Sequence, residues 1–300
     1  MADGGDLRFS APSKSFVLGE SLALVGGRAL LAATLPRFEL RLRPGSGAVR
    51  GVGPTSPAGR LIAAHSGTFH TIDVDFFDPH VGAGGWGASA AQFLMSYAAL
   101  ERLRERPVHA RAPQIDIERI LPAYVDVAWD GHGYSPSGAD IIAQLEGGIV
   151  EFARADGIVR KHAWPFDDLD FYFVPTGNKV PTHEHLRDLG RVDVTVLSAH
   201  ADSACDALRT RDSARFVGAM CGYADELERQ SLVHPDTQAM LRRLEALPGV
   251  LARKGCGALG ADVVVAIVRS DSAKAVAATI ARDFASPVGR AQLSGGLAIA

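Results

Sequence analysis

Gly82-Ala83-Gly84-Gly85-Trp86-Gly87-Ala88-Ser89-Ala90-Ala91 is a glycine-rich turn that runs directly into a strong helix former. The helix continues through Gln92, Phe93, Leu94, Met95, Ser96, Tyr97, Ala98, Ala99, Leu100 and Glu101. Glycines at 82, 84, 85 and 87 let backbone approach an anion closely. The first free amides of the helix carry the positive end of its dipole. Ser89 falls in that first turn. An ordinary connection is the alternative for such a turn taken alone, so its meaning depends on the rest of the chain.

The bulk properties narrow the class. The 300 residues are 47% hydrophobic, enough for one large domain or two closely packed lobes with a substantial core. A formal net charge of -3 without a long basic run argues against nucleic acid and toward a small-molecule partner. Cys205, Cys221 and Cys256 match no zinc or disulfide spacing, so they suit a reducing cytoplasm as small buried apolar groups. The acidic start, Met1 to Asp6, does not resemble a signal peptide, and no apolar run reaches membrane-spanning length. The expectation is a cytoplasmic protein without a membrane partner; a homodimer stays open.

Along the chain, short β-type runs at Ser15–Leu18, Ala29–Thr34, Phe38–Leu42 and Thr71–Asp75 predict sheet, with a loop over Arg43–Arg60 carrying five glycines and three prolines. The clearest helix spans 88–106 and stops at Pro107. A second, at Ile115–Val127, carries a core stripe of Ile117, Ile120, Leu121 and Tyr124. A short helix at Gly138–Leu145 precedes strands near Gly148–Phe152, Val159–His162 and Asp170–Val174. Helices dominate 182–247, followed by strands at Val250–Arg253 and Val263–Arg269 and then a helix at Ser272–Phe284. Leu293–Ala300 is left as a final strand or an ordered tail. Sheet and helix interleave in both halves, an α+β pattern.

Three further segments carry chemistry. Ala11 to Gly27 opens an apolar strand with Lys14, although buried lysine is costly unless an anion or carboxylate pairs with it. An edge lysine snorkelling to water is the plainer alternative. Ser135-Pro136-Ser137-Gly138-Ala139-Asp140 turns into a helix, where Asp140 could simply favour the positive helix end. Lys254-Gly255-Cys256-Gly257-Ala258-Leu259-Gly260-Ala261-Asp262 links two strands with a tight turn that suits a ligand or a plain connection.

Together, in this order, the four segments resemble the GHMP kinase superfamily, named for galactokinase, homoserine kinase, mevalonate kinase and phosphomevalonate kinase. Ala11 to Glu20 resembles the amino-terminal Pro-Gly-Lys...Gly-Glu motif, with Ser13 in place of glycine. Gly85 to Ala91 resembles Gly-Leu-Gly-Ser-Ser-Ala-Ala, with Ala88 replacing the first serine. Ser135 to Asp140 resembles Pro-Ser-Gly-x-Asp, and Gly257 to Ala261 resembles Gly-Ala-Gly-Gly-Gly, with Leu259 and Ala261 replacing glycines. The similarity runs from Ala11 to about Val268.

The resemblance implies a two-lobed fold of mixed sheets and helical layers, with an N-terminal lobe like ribosomal protein S5 domain 2 over 1–180 and a C-terminal lobe over 181–300. It also implies an ATP-dependent kinase of mevalonate or phosphomevalonate in isoprenoid precursor synthesis. A diphosphomevalonate decarboxylase-like enzyme and a non-catalytic ligand sensor are the alternatives on the same fold. The implied catalytic pair is Asp140, as base, and Lys14 beside it. ATP would lie on Gly82, Gly84, Gly85, Trp86, Gly87, Ala88 and Ser89, and Mg2+ on Ser89 with Asp130, the nearest acid ahead of the third motif. Glu20, Ser137, Gly138, Lys179, Gly257 and Ala258 would face the acceptor. His183-Glu184-His185 and the scattered His65, His70 and His80 lack the converging geometry of a metal site.

Overall fold

The computed structural model describes residues 6–104, 115–177, 192–257 and 260–300. Among them, strands form two sheets. In the larger one, β1 (Leu7–Leu18) pairs antiparallel with β2 (Ala29–Pro44) along most of its length. β2 is long enough to serve two neighbours: Ala29–Ala32 pairs with β5 (Ile149–Ala153) and Glu39–Pro44 with β4 (Ile72–Phe77). β3 (Val49–Arg50) extends the sheet beyond β4, and β6 (Ile158–His162) beyond β5. The second sheet has the order β10-β7-β9-β8, made of β7 (Leu169–Pro175), β8 (Val250–Cys256), β9 (Val263–Arg269) and β10 (Val288–Gly289).

The two runs expected at Ala29–Thr34 and Phe38–Leu42 are one strand. Pro36 has no N–H for the ladder, and the register with β1 shifts between Pro12 and Ser13 so that pairing resumes beyond it. The expected loop at Arg43–Arg60 contains β3 and the start of α2 (Pro57–Ala64), which the composition hid; α1 (Glu20–Ala23) precedes it. Ser56 caps α2 by accepting the Gly59 amide, with Pro57 in the first turn, a start signal present in the sequence. A further helical turn, α3, covers Ser66–Phe69.

α4 (Ala88–Arg104) is the central helix. Ala90, Ala91 and every residue from Phe93 to Leu100 are buried, so the helix is covered on all sides instead of showing one apolar stripe. It leans on β1, α2 and α6 (Ala139–Glu146), while α5 (Ile117–Ala128) buries Ile120 and Leu121. In the second half, α8 (Ser213–Arg229) and α9 (Pro235–Glu245) pack on β8 of the second sheet, α7 (Val194–Thr210) packs on α8 and reaches α1 and β2, and α10 (Ala273–Asp283) lies on β7 and β9.

The sheets cross the chain's midpoint in both directions. β7 opens the second sheet before residue 180, and the last strand, β11 (Ala298–Ile299), returns to pair with β1. Arg37 holds that returning tail, donating to Ser10, to the Ser294 hydroxyl and to the carbonyls of Gly295 and Gly296. Glu151 on β5 is a second tie. Its carboxylate is fully buried and meets Arg28, Arg160, His162 and Arg209, the last reaching over from α7. Among the described residues no helix is long and apolar enough to cross a membrane.

Candidate functional site

β1 delivers Lys14 to the interior with its side chain only 7% exposed, and its Nζ lies 2.7 Å from Asp140 Oδ1. Asp140 occupies the first turn of α6, behind Gly138 in the left-handed region at φ 78°. A side chain at Gly138 would crowd the Leu121 side chain of α5 and strain the left-handed backbone, so glycine suits this helix start. The Ser137 hydroxyl accepts the Ala139 amide and helps close the turn. Asp140 keeps about a third of its side chain exposed, leaving the carboxylate accessible.

The glycine turn lies over the same lysine. The Lys14 amide donates to the Trp86 carbonyl at 3.0 Å, and a Cβ at Gly87 would fall 2.9 Å from Lys14 Cε. Gln144 of α6 donates to the carbonyls of Pro12 and Gly87, binding strand, turn and helix into one unit. On the other flank a Cβ at Gly85 would come within 2.6 Å of Asp262 Cβ and 2.8 Å of Val263 Cγ2. Gly82 faces open space, Ser89 is exposed at the start of α4, and Gly84 and Ala88 are half-buried. The Trp86 ring is turned inward and stacked on His80, so only its backbone is left for a ligand.

Glu20 begins α1, and its Oε1 lies 2.7 Å from the fully buried Nζ of Lys254. Burial opposes a charge on Lys254, but Cys256 and Glu20 outweigh it and hold its pKa above the ordinary lysine value. Lys254 is the site residue that the motif analysis left without a role. Its signal was the one that drew attention to Lys14: a lysine within an apolar strand. Gly257, at φ 85°, turns the chain beside Asp262, which is itself buried. Burial first, and then the Asp140 charge, push the Tyr124 phenol well above its ordinary pKa, so this member of the core stripe borders the site.

Asp130 lies exposed in the turn after α5, where its Oδ1 accepts the His132 amide. Lys179, Ala258, Leu259 and His183-Glu184-His185 lie outside the described residues, as do positions 105–107 at the expected end of the central helix. Among the described residues no group of three His, Cys, Asp or Glu side chains is placed to hold a metal ion. His65 and His70 have partners of their own, in Arg104 and the Gly67 carbonyl.

An open helix start behind a glycine turn, a lysine beneath it and a carboxylate on that lysine define a site able to hold an anion next to a base. No protein-family model matches the sequence, and no curated protein matches it. Solved structures do. Leishmania major mevalonate kinase in complex with R-mevalonate superposes with a TM-score of 0.70 at 19% identity, over 96% of each chain. Lactococcus lactis galactokinase complexed with galactose gives 0.73 at 12% identity, over 98% of this chain and 95% of that one. Streptococcus pneumoniae phosphomevalonate kinase with phosphomevalonate and AMPPNP gives 0.70 at 15% identity, over 90% and 94%. The chain has the GHMP kinase fold, an α+β arrangement of two sheets with helical layers.

Proposed function

We propose that this chain is an ATP-dependent small-molecule kinase whose acceptor is mevalonate or phosphomevalonate. The observation that carries the kinase reading is the 2.7 Å contact between Lys14 and Asp140 directly beneath the glycine turn. Phosphoryl transfer needs a cradle for the donor phosphates, neutralisation of developing charge and a group that takes the attacking proton. Backbone amides from Gly84 to Ser89 would supply the first. With mevalonate, Asp140 would accept the proton of the acceptor hydroxyl as its oxygen bonds to the γ-phosphorus and the bond to ADP breaks; with phosphomevalonate, a phosphate oxygen attacks instead and no hydroxyl proton has to be removed. Lys14 pairs with that carboxylate and offers positive charge to the reacting oxygens.

Magnesium supplies further neutralisation of phosphate charge when bound. The donor chemistry suits it: magnesium is held largely by phosphates and water with one or two protein oxygens, and the exposed Ser89 hydroxyl and Asp130 carboxylate would provide them. Glu20, which Lys254 holds, would orient the acceptor together with Ser137 and Gly138 next to Asp140 and Gly257 beside Asp262. The mevalonate-type choice rests on the Ser135-Pro136-Ser137-Gly138-Ala139-Asp140 motif together with Glu20-Ser21 and Asp262.

The deciding experiment is ADP release with magnesium and ATP across mevalonate, phosphomevalonate, diphosphomevalonate, homoserine and galactose. Turnover with a mevalonate-series acceptor and a stable phosphorylated product is expected. Release of carbon dioxide would favour the decarboxylase instead, and silence on the whole panel would remove this reading.

A further inference from the structure

The Trp86 ring, Ser13 and His80 are unaccounted for by the transfer chemistry, yet they form one unit at the base of the glycine turn, with Ser13 and Trp86 buried and His80 half-buried. The His80 and Trp86 rings stack with centroids 4.8 Å apart and planes 9° from parallel. Phe38 lies on His80 as well, with ring centroids 5.8 Å apart. His80 Nε2 is 2.7 Å from Ser13 Oγ, and Ser13 Oγ is 2.6 Å from the Pro36 carbonyl. Ser13 is fully buried.

Proton counting fixes the direction of these bonds. A carbonyl can only accept, and Ser13 has a single hydroxyl proton, which goes to Pro36. His80 must then donate from Nε2, and because burial lowers the His80 pKa and favours the neutral ring, Nδ1 is left unprotonated. The His80 amide is committed to Asp78 Oδ1 at 2.7 Å, so the ring is anchored at its backbone as well. Trp86 in turn offers its carbonyl to the Lys14 amide, and Gly85 and Gly87 on either side contact Asp262 and Lys14.

We propose that His80 is a positioning residue of the nucleotide turn: by donating to Ser13 and stacking on Trp86 it sets the turn's backbone against β1. The unit belongs to this chain's own departures from the motifs it resembles. Ser13 stands where glycine is usual, and a glycine offers no hydroxyl to receive the bond. Trp86 stands where leucine is usual, and a leucine offers no ring to stack.

The nucleotide arm of the test rests on the kinase reading; the other arm does not. Calorimetric titration with ATP and magnesium should show His80→Ala weakening binding on the order of tenfold, through loss of both the hydrogen bond and the stack. His80→Phe, which keeps the ring, and His80→Gln, which keeps a donor, should each recover part of the affinity. Folded His80→Ala binding ATP like the parent would overturn the proposal, as would full recovery in His80→Phe, which would reduce the residue to core filling. Independently, nitrogen NMR of the nucleotide-free parent should show the His80 ring protonated at Nε2 and bare at Nδ1. The opposite tautomer would sink the latch even if ATP binds. A parent that binds no ATP but shows the expected tautomer would overturn the kinase reading and support the latch geometry.

Discussion

Replacing Glu151 with glutamine removes one buried charge at nearly constant volume and leaves the groups around it in place. Burial alone would raise the Glu151 pKa. The His162 hydrogen bond and the charges of Arg209, Arg160 and Arg28 outweigh burial and hold the carboxyl down at about 2, against an ordinary 4.5. That difference corresponds to roughly 3 kcal/mol of native-state stability at neutral pH, at about 1.4 kcal/mol per pH decade. It agrees with the ~3–5 kcal/mol cost of breaking a buried ion pair. Because the folded pKa is depressed, the contribution is complete above pH 4.5 and fades as pH falls toward 2. By the same relation it is about 1.4 kcal/mol at pH 3. Thermal unfolding of parent and Glu151→Gln should therefore differ by roughly 5–10 °C at pH 7, and the gap should close on acidification. A gap that is absent at pH 7, or unchanged at pH 3, would refute the assignment of stability to this carboxylate.

Other expectations follow from the site. Asp140→Asn should fold normally yet lose on the order of 10²–10⁴ in turnover with mevalonate, measured as ADP release, because the amide cannot take the acceptor's proton. Gly85→Ala must move Asp262 or Val263 and accept a left-handed backbone, so ATP affinity should fall while the acceptor's KM changes less. Lys254→Met leaves the Glu20 carboxylate without its buried partner and should lower the unfolding temperature; an unchanged melting curve would mean that the pair carries no stability. Burial pushes the Cys256 thiol up to about 11, so alkylation of the native protein at pH 8 should be far slower than that of the unfolded chain.

Most of the element pattern was legible because burial imposes periodicity on sequence. Val263–Arg269 occurs as expected, and Ala139–Glu146 and Ala273–Asp283 differ from expectation by a residue at each end. The helix at Pro57–Ala64 was hidden by the glycine and proline content around it, although its Ser56-Pro57 start was in view. The single strand Ala29–Pro44 was split in the sequence by Pro36, since only a bulge in the partner's register tells a tolerated proline from a break.

The sequence by itself determined the motifs: a glycine turn before a helix, a lysine in an apolar strand, an aspartate at a helix start and a second glycine turn. These depend on backbone freedom and local charge, which are written into adjacent residues. Only the tertiary structure decided that Lys14 meets Asp140, that Lys254 neutralises Glu20 across 234 positions of chain, and that Trp86 turns inward onto His80 instead of toward a ligand. Those outcomes follow from which segments share a buried space, where an unpaired charge or donor is costly, and pairing across long loops leaves no local trace. The glycine turn belongs to both accounts. Its flexibility is local, while the surface it is pressed against is assembled from β1, α6 and the start of β9.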